Sequence, residues 1–297
     1  MMSEIIIKFP RLDIFPTNKC NLLCDFCHGP PKGKVQELEI GLLEKVIDIF
    51  KKQFDLQTIS IAGGEPTLYY AFSTLVSKLK EDDIKIRLLT NGTTFKKYSG
   101  ILKTIDEIVL PFDGYDPETF EKMRKNKQLF NEIVVHLKEW YVPNQKISVG
   151  VVASKINIDY LHEIMKKLGE INQIRLKKHY SPVYARIFMF AAQSNGAKWK
   201  DKFEINVDKF YKAIQTLKKN KELTKWVSHC IDCESESYTC LMLYPGGDVY
   251  LPEKDRFIQL TNIYNPEWKT ELITYFSLNP THYEKLMQSH EQNNCRS

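Results

Sequence analysis

Residues 17–30 read Thr17-Asn-Lys-Cys20-Asn-Leu-Leu-Cys24-Asp-Phe-Cys27-His-Gly-Pro30, three cysteines in CxxxCxxC spacing on one short stretch. An iron–sulfur cube needs four ligands to be closed, so three thiolates leave one iron open to bind and change another molecule. The same residues also fit a zinc site with His28 as fourth ligand, or simply buried thiols. The triplet alone leaves these readings open.

Working outward, short β-like runs alternate with helical patterns. Arg11–Pro16 reads as a strand that feeds the cysteine loop. Leu42, Leu43, Val46, Ile47 and Phe50 share one face of a helix over 38–53. Strands are expected at 58–62, 85–90, 107–112 and 146–152. Helices are expected at 70–80 and 158–168, with another opened by Asp116-Pro117-Glu118. A sixth strand falls either at 174–177 or at 186–191. Alternating strands and helices imply a parallel sheet with right-handed crossovers. Six units are too few for a complete eight-fold barrel, so the fold class is α/β, a partial (β/α)6 TIM-like barrel over 1–206. A smaller extension, 207–297, is expected to carry a β-hairpin around Pro245-Gly246-Gly247 and a terminal helix over 280–292.

The unusual residues follow strands: Cys20–Cys27, Gly63-Gly64-Glu65-Pro66, Asn91-Gly92 and Asp113-Gly114. In parallel α/β architectures the carboxyl ends of strands form the active face. The chain of 297 residues is 43% hydrophobic and 27% charged, an ordinary globular composition. Its net charge of +5 is spread over many lysines and does not point to nucleic acid. No apolar run approaches the roughly 18 residues of a membrane span, and the N-terminus lacks a signal-peptide pattern. A cytoplasmic protein with reduced thiols is the expectation.

The triplet, Gly63–Pro66, Thr90-Asn91-Gly92 and the string Leu110–Thr119 together resemble the radical S-adenosylmethionine (SAM) enzymes over about residues 10–200. The resemblance implies that Cys20, Cys24 and Cys27 hold a [4Fe–4S] cluster whose fourth iron is chelated by SAM. It implies reductive cleavage to a 5′-deoxyadenosyl radical that abstracts hydrogen from a small-molecule or peptide substrate. An electron donor such as flavodoxin or ferredoxin is the implied partner. Gly63, Gly64, Glu65 and Pro66 would meet the methionine amino group, with Glu65 fixing the turn or adding charge. Asn91 and Asp113 would contact SAM, Asp113 at the ribose. Pro111 stands where the family often has Ser, and a turn or capping role for Asp113 stays open. Phe26 would shield the cluster or touch adenine, or pack locally. His28 reads as a neighbour of the cluster rather than a ligand. Gly150 and Val152 would line an adenine pocket through backbone groups.

Cys230, Cys233, Cys240 and Cys295 are candidates for a second cluster or zinc, in a molybdopterin-precursor-cyclase-like, twitch- or SPASM-like subgroup with a degenerate motif. Pro252 occupies the position of the cysteine expected after the hairpin. That cysteine and a terminal Gly-Gly are missing, so the cyclase itself is rejected as the identity. One alternative is a peptide-modifying enzyme, an epimerase or thioether-forming catalyst. A non-catalytic zinc or iron–sulfur module is another, but it leaves Gly63–Pro66 unexplained. Arg175, Lys177, Lys178, His179 and Arg186 form a basic cluster that reads as a solvated surface or as a contact for an anionic substrate.

Overall fold

The structure is a computed structural model that describes residues 7–30, 33–192, 194–231, 240–252 and 256–294. In chain order the elements begin β1 (Arg11–Ile14), α1 (Ile40–Phe54), β2 (Thr58–Ile61), α2 (Phe72–Glu81), β3 (Lys85–Leu89) and α3 (Ser99–Leu102). Then come β4 (Glu107–Pro111), α4 (Pro117–Arg124), α5 (Lys127–Glu139), β5 (Lys146–Ala153), α6 (Leu161–Lys177) and β6 (Tyr184–Met189). α7 (Lys200–Phe203), α8 (Val207–Lys218), α9 (Lys221–Thr224), β7 (Val227–Ile231), β8 (Leu241–Leu243) and β9 (Asp248–Pro252) follow. β10 (Phe257–Asn262), α10 (Trp268–Leu278) and α11 (Pro280–Asn294) end the chain.

The contacts divide it into two compact units. One comprises residues 1–19, 32–87 and 236–297; the other comprises 20–31 and 88–235. The expected break at 206/207 is not where this division falls, and the pairing explains why. β7 lies parallel to β6, with Ile187 opposite Cys230, so residues 207–231 stay with the second unit. β8 lies parallel to β1, with Asp13 opposite Met242, so the C-terminal hairpin joins the first.

In the first unit β8, β1 and β2 are parallel neighbours, and β8–β9–β10 is antiparallel. Leu43, Val46, Ile47, Phe50 and Phe54 of α1 are buried along one face, the spacing of an amphipathic helix. Glu39 caps that helix by accepting from Gly41 and Leu42 N–H. Phe50 stacks on Trp268 at 5.9 Å, and Phe9 packs on Phe54 and Phe276. These aromatic rings tie α10 to α1 and to the segment just before β1.

In the second unit β4, β5, β6 and β7 are all parallel. Burial alternates along β6, as period-two side chains require. This settles the sixth strand at 184–189; residues 174–177 are the last turn of α6. Seven further elements, α3, α5, α7, α9, β7, β10 and α10, are not expected from the sequence pattern. β7 reads Val-Ser-His-Cys-Ile, too polar in its middle to register as a strand.

The basic cluster also resolves differently from an anion site. Arg175 is only 3% exposed, and its guanidinium donates to the carbonyls of Leu137, Trp140 and Ser181. It closes the end of α6 onto the end of α5. Arg186 pairs with Glu107 on β4 at 2.9 Å.

Candidate metal centre and its supports

Cys20, Cys24 and Cys27 lie on the loop that opens the second unit. Leu22 N–H donates to Cys20 Sγ at 3.4 Å, and Gly29 N–H donates to Cys27 Sγ at 3.3 Å. Asn91 Nδ2 approaches Cys20 Sγ at 3.9 Å and donates to Asn21 Oδ1 at 2.9 Å. The Cys24 thiol donates to the Arg124 carbonyl at 3.8 Å. Asn195 holds the loop's far end by donating to the carbonyls of Gly29 and Pro30.

Between Cys24 and Cys27 stand Asp25 and Phe26, both buried. Asp25 accepts from Lys125 and, at 2.9 Å, from Lys202. Burial opposes its ionisation, but the two ammonium groups outweigh it and hold the carboxyl below the usual aspartate range. Phe26 packs between the Arg124 guanidinium at 4.8 Å and the Phe203 ring at 5.8 Å. Both contacts lie within the loop's own unit. His28 is exposed, with its ring 5.8 Å from Phe190.

Asp113 follows β4 and stands beside Arg124. Its side chain is wholly buried, one oxygen accepting from Arg124 Nε at 2.6 Å and the other from Val152 N–H at 2.7 Å. Asn157 Nδ2 donates to its carbonyl at 2.9 Å. This carboxylate fixes the strand end and Arg124. Val152 N–H donates to Asp113, and the Gly150 carbonyl accepts from Phe112 N–H at 2.9 Å. Burial opposes the Arg124 charge, yet Asp113 and then the Cys24 and Cys27 sulfurs push its pKa up. A fixed positive charge thus lies beside two of the three thiols.

The Gly63–Pro66 turn belongs to the first unit. Gly64 N–H donates to the Thr17 carbonyl at 2.9 Å and Glu65 N–H to the Lys19 carbonyl at 2.6 Å. A Cβ on Gly64 would fall 2.1 Å from the Lys19 oxygen, and Gly63 has φ +127°. Only glycine permits this approach. The turn braces the chain at the three residues before Cys20. Glu65 is fully buried and accepts from Thr67 N–H and Oγ1, so it fixes the turn. Pro66 starts a 3₁₀ turn.

Of the C-terminal cysteines, Cys230 is exposed on β7 and Cys240 is buried before β8. Burial opposes ionisation of Asp13, but Arg11 and the Cys240 thiol together lower its pKa, which places that thiol as a hydrogen-bond donor to Asp13. Cys233 and Cys295 lie outside the described residues.

The loop fits a [4Fe–4S] cluster. It offers three thiols, and N–H donors already aimed at two of the sulfurs are the kind that tune cluster thiolates. Among the described residues no three His, Cys, Asp or Glu side chains gather as ligands of a single ion. A cube, by contrast, takes one thiolate at each of three irons. Sequence reasoning missed Arg124, Lys125, Lys202 and Asn195. The one available signal was Asp25 itself, a charge between two ligand cysteines that needs a partner once buried.

Comparison with known proteins agrees. The family profile described as the Radical SAM superfamily matches residues 14–172. Proteins called probable GTP 3′,8-cyclase in Methanococcus maripaludis strain C7 and Methanocaldococcus jannaschii are each 31% identical over 179 residues. Those matches cover 57% and 56% of this chain, and 58% and 59% of the relatives, so the chain spans little more than half of their length. Streptococcus suis SuiB bound to S-adenosylmethionine has TM-score 0.66 at 15% identity, covering 89% of this chain and 65% of that one. Native anSMEcpe with bound AdoMet and Cp18Cys peptide has TM-score 0.64 at 17% identity, covering 94% and 82%. At these identities the likeness is one of fold. No helix among the described residues is long and apolar enough to cross a membrane.

Proposed function

This chain belongs to the radical SAM superfamily, and on that premise we propose that it takes a hydrogen atom from an unactivated carbon of a small-molecule or peptide substrate. The observation that carries the proposal is the cysteine loop, whose sulfurs already have N–H donors and whose intervening residues are clamped by Arg124, Lys125 and Lys202. The cofactors of the family are a [4Fe–4S] cluster and SAM, which when bound supply one-electron cleavage of the sulfonium carbon–sulfur bond and a carbon-centred radical.

The chain's own residues do the rest. Cys20, Cys24 and Cys27 present the three thiolates. Asn91 orients Cys20 and Asn21. Arg124, paired with Asp113, stands beside Cys24 and Cys27. Assignment of the SAM amino group to residues 63–66 rests on the family pattern.

Anaerobically reconstituted protein with dithionite and SAM is expected to hold about four irons per chain and to release 5′-deoxyadenosine. Release no greater than from a Cys24→Ala control, with every candidate substrate present, rejects the proposal. Substrate class separates in the same assay. GTP is the candidate drawn from the relatives' names; short peptides are the other. The class whose consumption tracks 5′-deoxyadenosine is the substrate.

A further inference from the structure

We propose that the surface around Trp199 is the docking face for an acidic one-electron carrier protein that reduces the cluster. The inference rests on the radical SAM reading and names the partner of that same site. Three ammonium groups surround one indole: Lys125, Lys198 and Lys202 place Nζ at 5.7, 5.8 and 5.3 Å from the Trp199 ring centroid. All three lysines are exposed. Like charges gathered on one ring repel, and they raise a local positive potential that attracts and orients an oppositely charged partner. Asp25 offsets part of this charge, since both Lys125 and Lys202 pair with its buried carboxylate while their own side chains stay 45% and 42% exposed.

The patch is joined to the ligand loop in two ways. Asp25, which receives two of the three lysines, stands directly between Cys24 and Cys27 in the chain. Four residues beyond Trp199, the fully buried Phe203 lies 5.8 Å from Phe26, which also stands between those cysteines. An ion pair and an aromatic contact thus both connect this surface to the cysteine loop. In the proposed step one electron leaves the reduced flavin or iron–sulfur centre of the carrier and enters the cluster. The carrier is oxidised by one electron and the cluster is reduced by one; no covalent bond changes in either protein.

The test compares the reconstituted full chain with a Lys198→Glu/Lys200→Glu variant. Asp25 pairs with Lys125 and Lys202, whereas Lys200 pairs with Glu204 one turn on, so the cysteine loop keeps its clamp. Flavodoxin in its hydroquinone form is the acidic probe, reduced methyl viologen the cationic one, and cluster reduction is followed by absorbance in stopped flow. The variant's bimolecular rate with flavodoxin is expected to fall about tenfold or more at low salt, within the range of electrostatic steering. The wild-type rate should fall as salt rises, and the rate with methyl viologen should not fall in the variant. Equal flavodoxin rates for the two proteins, each with a cluster that dithionite reduces, overturn the docking face alone. A chain that assembles no dithionite-reducible cluster overturns the radical SAM reading and this inference with it.

Discussion

The thiols of the 20–30 loop and those of Cys230 and Cys240 are the same group in different company. Cys20 and Cys27 receive N–H donors, and Cys24 and Cys27 lie beside the Arg124 charge. Cys240 instead gives its hydrogen to a carboxylate in a buried corner, and Cys230 stands exposed on a strand. The sulfurs of the first set accept hydrogen bonds from backbone N–H groups, whereas the Cys240 thiol donates one. Ligand capacity is set by the neighbours of a cysteine, not by its presence.

The largest expected effect breaks the first half of the comparison. Cys24→Ala should lower iron from about four per chain to near zero after reconstitution, while Cys240→Ala should keep the iron content of the unmutated protein. Iron loss in Cys240→Ala, measured by the same colorimetric assay, would make that thiol a ligand and dissolve the contrast.

Next is the charge beside the loop. Arg124→Met leaves Asp113 buried without its ion-pair partner and should cost about 3–5 kcal/mol of stability in denaturant unfolding. Arg124→Met/Asp113→Asn removes both charges and should recover a large part of it. Equal losses in the single and double variants would show that the pair is not the support described here.

Gly64→Ala sharpens the contrast from the other unit. A Cβ at 2.1 Å from the Lys19 oxygen forces the backbone apart and should cost about 1–3 kcal/mol. It should also lower iron incorporation, since the strained segment ends one residue before Cys20. Gly33→Ala, with open space around its Cβ position, is the matched control.

The smallest effect is a pH dependence remote from the cysteines. Burial opposes ionisation of Asp82, but Lys78 and Lys51 lower its pKa, joining α2 to α1. A carboxyl depressed in the folded state stabilises above its unfolded pKa, about 3.9, and loses that contribution as pH falls through the folded value. Wild type should therefore exceed Asp82→Asn by up to about 1 kcal/mol at pH 7. The gap should close in acid; a gap that widens as pH falls refutes the sign.

Much of this was legible beforehand because the signals are local. The Asp116-Pro117 start of α4 is a cap with its side-chain bond to Thr119 N–H, and the α1 face follows from residue spacing alone. Asp113 was ambiguous because a strand-end aspartate looks the same whether it faces a ligand or an arginine eleven residues on. Phe26 shared that ambiguity. The basic cluster misled because Arg175 shares a sequence neighbourhood with solvated lysines, yet its guanidinium closes a helix end.

The sequence by itself determined the chemistry: three thiols at cluster spacing, two glycines where backbone must approach backbone, and the alternation of strands and helices. These depend on residue type and short spacing, which the chain states directly. The folded arrangement alone set which charges stand beside those thiols, that Asp113 pairs with Arg124 and Val152 N–H, and that residues 207–231 and 240–294 join different units. Those facts depend on contacts between residues tens to hundreds of positions apart, and no local pattern encodes which distant side chain will arrive.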